Sequence, residues 1–411
     1  MRIVFVSHYA TPHIGGIETV VQRLRRRLLE RGHEVVHVAS TASHYPLDDY
    51  PVDRGVIRIP ALNVLEERLG VPYPIFSPRL HSVLARELAS ADVVHAHGLL
   101  YMSSVWALRY AKLRYRSGGP VRVLTEHVGH VPYDSAALNK IESAAIATVG
   151  RAAVRAAESV VVLNRQVAAE VGALGARGRV LHIPNGIDTT LFRPPHSGER
   201  EALRAELGWD DQPRVLFVGR LVAKKGLDTA LAAAAAAAGK FELVVAGPGP
   251  LQPAPAPGLS VLGPVPAERV AQLYRAADAL LLPSRGEGFP VAVQEAMASA
   301  LPVVMTNDPS YARYLNGAGR GVLLVPPAPE AIARTLEQLV GDPDARIAAG
   351  LEGLAHARAA FTWEQAADRH EQLYETLLAA RELPDDAREL ELQAAVYGAQ
   401  ATTASERGAI P

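Results

Sequence analysis

Residues 284–306 read SRGEGFPVAVQEAMASALPVVMT. The apolar run 279–282 stops at Pro283, residues 291–300 hold helix formers without a proline, and 302–306 is apolar again, so the chain reads strand, loop, helix, strand. That alternation belongs to a parallel α/β sheet. It puts Glu287 on the loop and Glu295 inside the helix, with seven residues between them. A helix opening at about Pro290 aims free backbone N–H groups and the positive end of its dipole at the loop, an anion site that suits a diphosphate. An ionised carboxylate only accepts hydrogen bonds. One beyond the phosphates suits two ribose hydroxyls, and one nearer the loop suits a sugar hydroxyl. The same pair could equally be a helix cap and a solvated helix acid.

Outward from this stretch the pattern repeats. Residues 215–218, 242–246, 259–262, 279–282, 302–306 and 321–325 read as strands with helices between them. An earlier series, 3–6, 35–39, 56–59, 93–95, 121–125, 160–163 and 180–183, does the same. Between the two lies 188–213, with Pro194, Pro195, Pro213 and a polar helix near 199–207, which reads as the interdomain connection and hinge. A chain of 411 residues exceeds what one core usually serves. The expected architecture is therefore α/β: two doubly wound, Rossmann-like domains, 1–190 and 191–362, facing each other across a cleft. The alanine-rich run 232–238 suits a helix packed closely on a sheet, and 247-GPGPLQPAPAPG-258 suits a loop. Helical character returns at 362–381, and 382–411 reads as an extension that frays toward its end.

Hydrophobic residues at 49% and charged residues at 21% are ordinary for a globular enzyme, and no apolar run reaches the roughly 18 to 20 residues of a membrane span. The apolar N-terminal run, ending at Ser7 and His8, is too short for a signal-peptide core and suits a buried first strand. The absence of cysteine removes disulfides, thiolate metal sites and cysteine nucleophiles, and is compatible with the cytoplasm. No nucleic-acid partner is expected. Charge is divided unevenly: residues 1–195 carry 23 Lys+Arg against 16 Asp+Glu, and residues 196–411 carry 19 against 27. Much of the positive excess lies in two expected helices, 19–31 and 104–116. A solvated basic face is the plain reading. The sharper one is a peripheral contact with an anionic membrane, on its inner face, or with a polyanionic acceptor.

Open parallel sheets bind ligands beyond the carboxyl ends of their strands, so the residues there come next. After the first strand, Gly15 and Gly16 precede a helix and would let backbone N–H groups approach a phosphate, though an ordinary turn reads the same way. At the end of another strand stands 95-HAHG-98; its alternating histidines, His95 and His97, are expected to point to opposite sides, which argues against one shared metal. The strand 121–125 delivers His127 to the same rim. Buried, hydrogen-bonded histidines remain the plain alternative. In 215-VLFVGRLVAKKGLD-228, Arg220 and Lys225 share one loop with glycines, a pair able to neutralise both phosphates of a nucleotide sugar and to face a leaving diphosphate. Lys224 is the neighbour expected to face solvent.

Together these segments resemble the retaining glycosyltransferases of family 4, which have the GT-B fold. The resemblance rests on the glycine pair, HAHG, 183-IPNGIDTTLFRP-194, GRLVAKKG, GPGP, 262-LGPVP-266, 274-YRAADALLLPS-284 and EGFPVAVQEAM through PVV. It extends over nearly the whole chain. The ending 361-FTWEQAADRHEQLYETLL-378 resembles the family's last helix, implying that 363–381 returns to the first domain. The resemblance implies that Arg220 and Lys225 bind the donor diphosphate and Glu295 the ribose. It gives Glu287, with the backbone around Gly288, Phe289, Pro290 and Val291, to the donor sugar and phosphate. Gly15 and Gly16 would approach the distal phosphate, His97 would sit near the transferred sugar, and the turn at Gly263 to Val265 would meet the base. It further implies front-face displacement without a metal or other cofactor. The chain departs from the commoner EGFG at Pro290, which removes one N–H from the phosphate loop.

The leading expectation is a hexosyltransferase that moves a sugar from a nucleoside diphosphate to the hydroxyl of a glycolipid, polysaccharide or natural-product precursor, retaining configuration. A GT-B epimerase would use the same nucleotide site but needs acid/base carboxylates in the first half, where no convincing pair stands out. A nucleotide-sugar-binding protein without catalysis would be favoured only if Arg220, Lys225 or Glu295 were missing. A dinucleotide oxidoreductase is weaker still, since no GxGxxG follows a first strand. For the acceptor, the first domain's loops offer Tyr9, His13, Tyr73, His127 and Tyr133.

Overall fold

The computed structural model of the chain describes residues 1–13, 15–41, 55–69, 73–115, 118–127, 136–176, 180–284, 289–308, 311–315 and 317–382. They form two compact units, Met1–Asn185 with the residues from Ala366 on, and Gly186–Gln365.

In the first unit β1 (Arg2–Tyr9) lies between β2 (Glu34–Ser40) and β6 (Val93–His97). Beyond β2 stands β3 (Val56–Ile59), and beyond β6 stand β7 (Val121–Glu126), β8 (Ser159–Val162) and β9 (Val180–His182), all parallel. Their Val- and Ile-rich sequences are buried nearly throughout, as strands covered on both faces require. The chain builds β2 and β3 on one side of β1 and then crosses to β6 on the other, so the strand order reverses between β1 and β6. A crevice opens at such a point beyond the carboxyl ends. The sequence pattern did not show the short antiparallel pair β4 (Ala61–Leu62) and β5 (Ile75–Phe76), inserted after β3 around the helix Val64–Leu69. Two-residue strands leave no periodicity to read.

Each expected strand is present, and β1 runs on past its apolar core to Tyr9. Ser7, His8 and Tyr9 are all buried, and Ser7 Oγ donates to the Tyr9 carbonyl at 2.6 Å and contacts His37 Nε2 at 2.8 Å. The first helix spans Gly16–Glu30. Its basic face is largely spent inside the protein. Arg25 is buried, Arg26 and Arg27 pair with Glu30, and Arg31 pairs with Asp368 and Glu371 of the C-terminal helix Trp363–Ala379.

The second unit repeats the plan: β10 (Arg214–Val218) lies between β11 (Glu242–Ala246) and β13 (Ala279–Leu282), β12 (Leu259–Gly263) flanks β11, and β14 (Val303–Thr306) and β15 (Val322–Val325) continue beyond β13. Here the order reverses between β10 and β13. The alanine run falls in the helix Leu227–Ala236, where Ala230 and Ala233 are fully buried. Chain entry and exit lie side by side: Ile187 N donates to Phe361 O at 2.7 Å, and a Cβ on Gly186 would stand 2.5 Å from the Trp363 backbone.

The segment 188–213, expected to be a connection between domains, belongs instead to the second unit, whose border precedes the expected 190/191. Asp188 turns the chain by accepting from Thr190 N at 3.1 Å, Arg193 and Arg275 clamp Glu199, and Arg200 and Arg204 of the helix Glu199–Glu206 reach Asp278. Prolines marked a break in helical pattern, but these ion pairs fix the segment. No described helix is long and apolar enough to cross a membrane.

Candidate active site

At the reversal point of the second sheet the loops after β10 and β13 meet. Gly219 follows β10 with φ +150°, a conformation that glycine alone adopts readily, and its N–H donates to the Ala246 carbonyl at 3.0 Å. The half-buried Lys225 lies across it, its Cε 3.7 Å from where a Cβ of Gly219 would stand. Gly226, at φ +73°, starts the next helix against the end of β13, so close that a Cβ would lie 2.1 Å from the Pro283 carbonyl oxygen. Arg220 of the same loop is exposed. Two cations thus stand beside the end of β13.

The helix Val291–Ala298 opens from Pro290 without a capping side chain. Val293 N already donates to Pro290 O at 3.1 Å, which leaves the N–H groups of Val291 and Ala292 as the unspent ones at this end. Phe289 anchors the turn in the core, stacked on Tyr314 with centroids 4.8 Å apart and tilted on Phe361 at 5.3 Å. One turn into the helix, the partly buried Glu295 receives the Tyr274 hydroxyl on Oε2 at 3.4 Å. Burial pushes its carboxyl up to about 7, against the opposing hydrogen bond. Val291, half exposed, is an apolar surface beside these groups. The turn from Gly263 to Val265 adjoins the rim, since Gly247 N donates to Gly263 O at 2.8 Å and Leu221 N to Pro248 O at 2.7 Å.

At the reversal point of the first sheet β1 and β6 deliver a cluster of histidines, glutamates and tyrosines. Glu18, in the first turn of the helix Gly16–Glu30, folds back over Gly15, where a Cβ would stand 2.1 Å from its Oε2. Burial alone would raise this carboxyl, but His13 and His8 hold it below the usual range. Its Oε1 is 3.1 Å from His13 Nδ1 and 3.3 Å from His8 Nε2. Neither approach has hydrogen-bond geometry. His13 Nε2 is 3.0 Å from Oε1 of Glu66, a residue of the inserted helix, and the Tyr9 hydroxyl donates to the other Glu66 oxygen. The Glu18 and Glu66 carboxylates raise the pKa of His13, whereas burial lowers that of His8 to about 4. His8 stacks on Tyr101 with centroids 3.9 Å apart.

His95 and His97 do not point to opposite sides as expected. Their rings stack 4.3 Å apart, because side chains two apart on a strand share a face. His95 is spent between Tyr374 Oη at 2.6 Å and Thr125 Oγ1 at 2.7 Å. His97 Nδ1 meets His127 Nε2 at 3.1 Å, while its own buried Nε2 has no partner among the described residues. Burial drives both His97 and His127 well below the ordinary imidazole range, so both are neutral at pH 7. Tyr9, offered by the sequence as an acceptor contact, is fully buried with its hydroxyl engaged by Asn63 and Glu66, and its part is to hold Glu66. Gly16 faces open space, with nothing within 4 Å of a Cβ built there. Glu287, Gly288 and Tyr133 lie outside the described residues. Among those described, no group of three or more His, Asp or Glu side chains is arranged to hold a metal ion.

Sequence reasoning missed Tyr274, His8, Glu18 and Glu66. Glu18 carried a signal, an acid in the first turn behind two glycines. The others depend on contacts between segments far apart in the chain.

The family model for Glycosyltransferase Family 4 matches residues 14–191, and that for Glycosyl transferases group 1 matches residues 199–352. The chain is 30% identical over 394 residues to a protein of Catenulispora acidiphila named D-inositol 3-phosphate glycosyltransferase 1, covering 89% of this chain and 91% of that one. Among solved structures it is similar to sucrose-phosphate synthase from Thermosynechococcus elongatus, with a TM-score of 0.67 at 24% identity, covering 92% of this chain and 99% of that one. It is also similar to Anabaena HepE in complex with UDP, with a TM-score of 0.65 at 16% identity over 91% of this chain and all of the other. The two reversed sheets, the two family models in succession and a relative matched along its length make this chain a group 1, family 4 glycosyltransferase of the GT-B fold.

Proposed function

We propose that the chain transfers a hexosyl group from a nucleoside-diphosphate sugar to an acceptor hydroxyl with retention of configuration, the second unit holding the donor and the first the acceptor. The observation that carries this reading is the loop with Arg220 and Lys225 set against the end of β13, at the reversal point where Glu295 and an uncapped helix end also stand. HepE, similar in fold, is described with UDP and with UDP-glucose, which supports a donor of that kind.

In this reading the bond from the anomeric carbon to the diphosphate oxygen breaks with its electron pair on that oxygen. The acceptor oxygen bonds the same carbon from the same face, and a phosphate oxygen takes the acceptor's proton. Arg220 and Lys225 offset the negative charge on the leaving group, the task a metal ion performs elsewhere. Turnover is therefore expected to persist in excess EDTA. Neutral His97, with Nε2 unspent, holds a hydroxyl of the transferred sugar. The test is release of free nucleoside diphosphate from a panel of nucleotide sugars, with anomeric configuration of the product read by NMR. No release from any donor, or an inverted product, would sink the reading.

Glu295 gives a pH signature. A ribose diol favours the ionised carboxylate, so donor binding at low pH must expel a proton from a group that titrates at about 7. Nucleotide affinity is expected to fall roughly tenfold from pH 8 to pH 6, where protonation competes, and to level off above pH 8. The sign for stability is opposite: a carboxyl raised in the folded state favours folding below the unfolded value and loses that contribution as pH rises through about 7. Calorimetric titration of UDP at several pH values reads the affinity. Glu295→Gln should flatten the profile, and a flat wild-type profile counts against the ribose role.

Membrane contact, if the acceptor is a lipid, falls to the helix Met102–Arg114. Trp106 and Leu113 are exposed there with Arg109, Lys112 and Arg114, whereas the first helix has spent its arginines on Glu30 and the C-terminal helix. Sedimentation with vesicles containing anionic lipid is expected to show binding that weakens with salt. Arg109→Glu should lower it, and binding indifferent to salt would exclude the electrostatic mode.

A further inference from the structure

The cluster at the end of β1 has more chemistry than the transfer step uses. Glu18, 2% exposed, presents an oxygen without a hydrogen bond to the space between His13 and His8. Glu66 comes in from the insertion between β4 and β5, so the opposite wall of the same space is also a carboxylate. Two half-exposed tyrosines, Tyr73 and Tyr101, stand 6.2 Å apart, with Tyr101 backed by the His8 ring. Arg58 reaches the same loop and donates to the Thr11 carbonyl at 2.6 Å. Two carboxylates therefore face, at most, one imidazolium and one guanidinium already bound to backbone. A phosphate ester needs an excess of cations. Sugar hydroxyls need acceptors with fixed direction and an aromatic surface for their C–H faces, and both are here.

We propose that this rim of the first unit is the acceptor subsite and that it takes an unphosphorylated polyol or sugar, hydrogen-bonded by Glu66 and His13 beside Tyr73 and Tyr101. The inference rests on the reading that the first unit holds the acceptor, and it sets this chain apart from a relative named for a phosphorylated inositol. Tyr9 and Asn63 act behind it, since the Tyr9 hydroxyl bridges them to Glu66.

The test pairs myo-inositol with D-inositol 3-phosphate, and glucose with glucose 6-phosphate, as acceptors for the nucleotide sugar that supports turnover. The unphosphorylated member should be favoured roughly tenfold or more in kcat/KM, on the scale of one charge-assisted hydrogen bond made or refused. Glu66→Ala should raise acceptor KM roughly tenfold while UDP affinity stays unchanged, with Glu66→Gln intermediate, and Glu66→Lys should shift preference toward the phosphate. Preference of the wild type for the phosphorylated member, or an unchanged acceptor KM in Glu66→Ala, overturns the proposal. Calorimetric binding of the same four compounds to the UDP-saturated protein separates the two readings. If no donor turns over, the transferase reading fails, while binding of polyol without binding of phosphate still supports the subsite, and binding of phosphate alone or of none refutes it.

Discussion

Lys225→Ala is expected to lower the rate of sugar transfer by roughly 10²–10³-fold, about 3 to 4 kcal/mol of transition-state stabilisation, with a smaller effect on nucleotide affinity. Negative charge grows on the diphosphate as the anomeric bond breaks, so a fixed cation there binds the transition state more tightly than the donor. Lys225 is held for that task, half buried with its stem across Gly219 and its loop pinned to the end of β13 through Gly226. Arg220→Ala should act in the same direction. Its exposed guanidinium has no ion-pair partner among the described residues, so thermal stability should stay within about 0.5 kcal/mol of wild type. Lys225→Arg keeps the charge but not the reach, and should recover only part of the rate. Single-turnover release of diphosphate measures the chemical step directly. A Lys225→Ala enzyme with wild-type single-turnover rate would remove the leaving-group role from this loop.

Much of the donor side was legible in sequence because it is local. A strand that stops at a glycine or proline and a helix that follows place the intervening loop at the carboxyl edge whatever the rest of the chain does, and Arg220, Lys225 and Glu295 sit on such loops or one turn beyond. The sequence could not show that Tyr274, on a helix preceding β13, would meet Glu295, or that burial would lift that carboxyl to about 7. On the first unit the reading failed where it depended on non-local contacts or mistook a period. His95 and His97 were assigned to opposite faces although a strand's period of two puts them together. Tyr9 looked like a surface tyrosine after an apolar run, and only the insertion bearing Asn63 and Glu66 buries it. Prolines suggested a loose connection at 188–213, where arginines and a single aspartate make a fixed one.

That aspartate should dominate the stability of the second unit. Asp278 is 6% exposed and precedes β13, at the sheet end opposite the candidate site. Its carboxylate accepts from Arg200 Nη2 at 2.7 Å, Arg346 Nη1 at 2.5 Å, Arg204 Nη1 at 3.3 Å and the Arg214 backbone N–H at 2.9 Å. Burial depresses the Arg200 guanidinium and Asp278 opposes that shift, so the aspartate is what keeps these cations tolerable out of water. Asp278→Ala leaves several partly buried guanidinium groups facing one another and a backbone N–H unpaired, a loss of about 3 to 5 kcal/mol. For a unit of this size that corresponds to a fall of roughly 6 to 20 °C in Tm. Asp278→Asn keeps the shape and part of the hydrogen bonding but not the charge, and should fall between. Because the helix Glu199–Glu206 and the helix Pro343–Ala360 are both tied to this carboxylate, hydrogen exchange should quicken in β10 through β15 and stay unchanged in β1 through β9. Activity per folded molecule should be preserved, since none of these partners stands at the carboxyl ends of the strands. A melting temperature within a degree of wild type would mean that the arginines find water or other carboxylates at little cost.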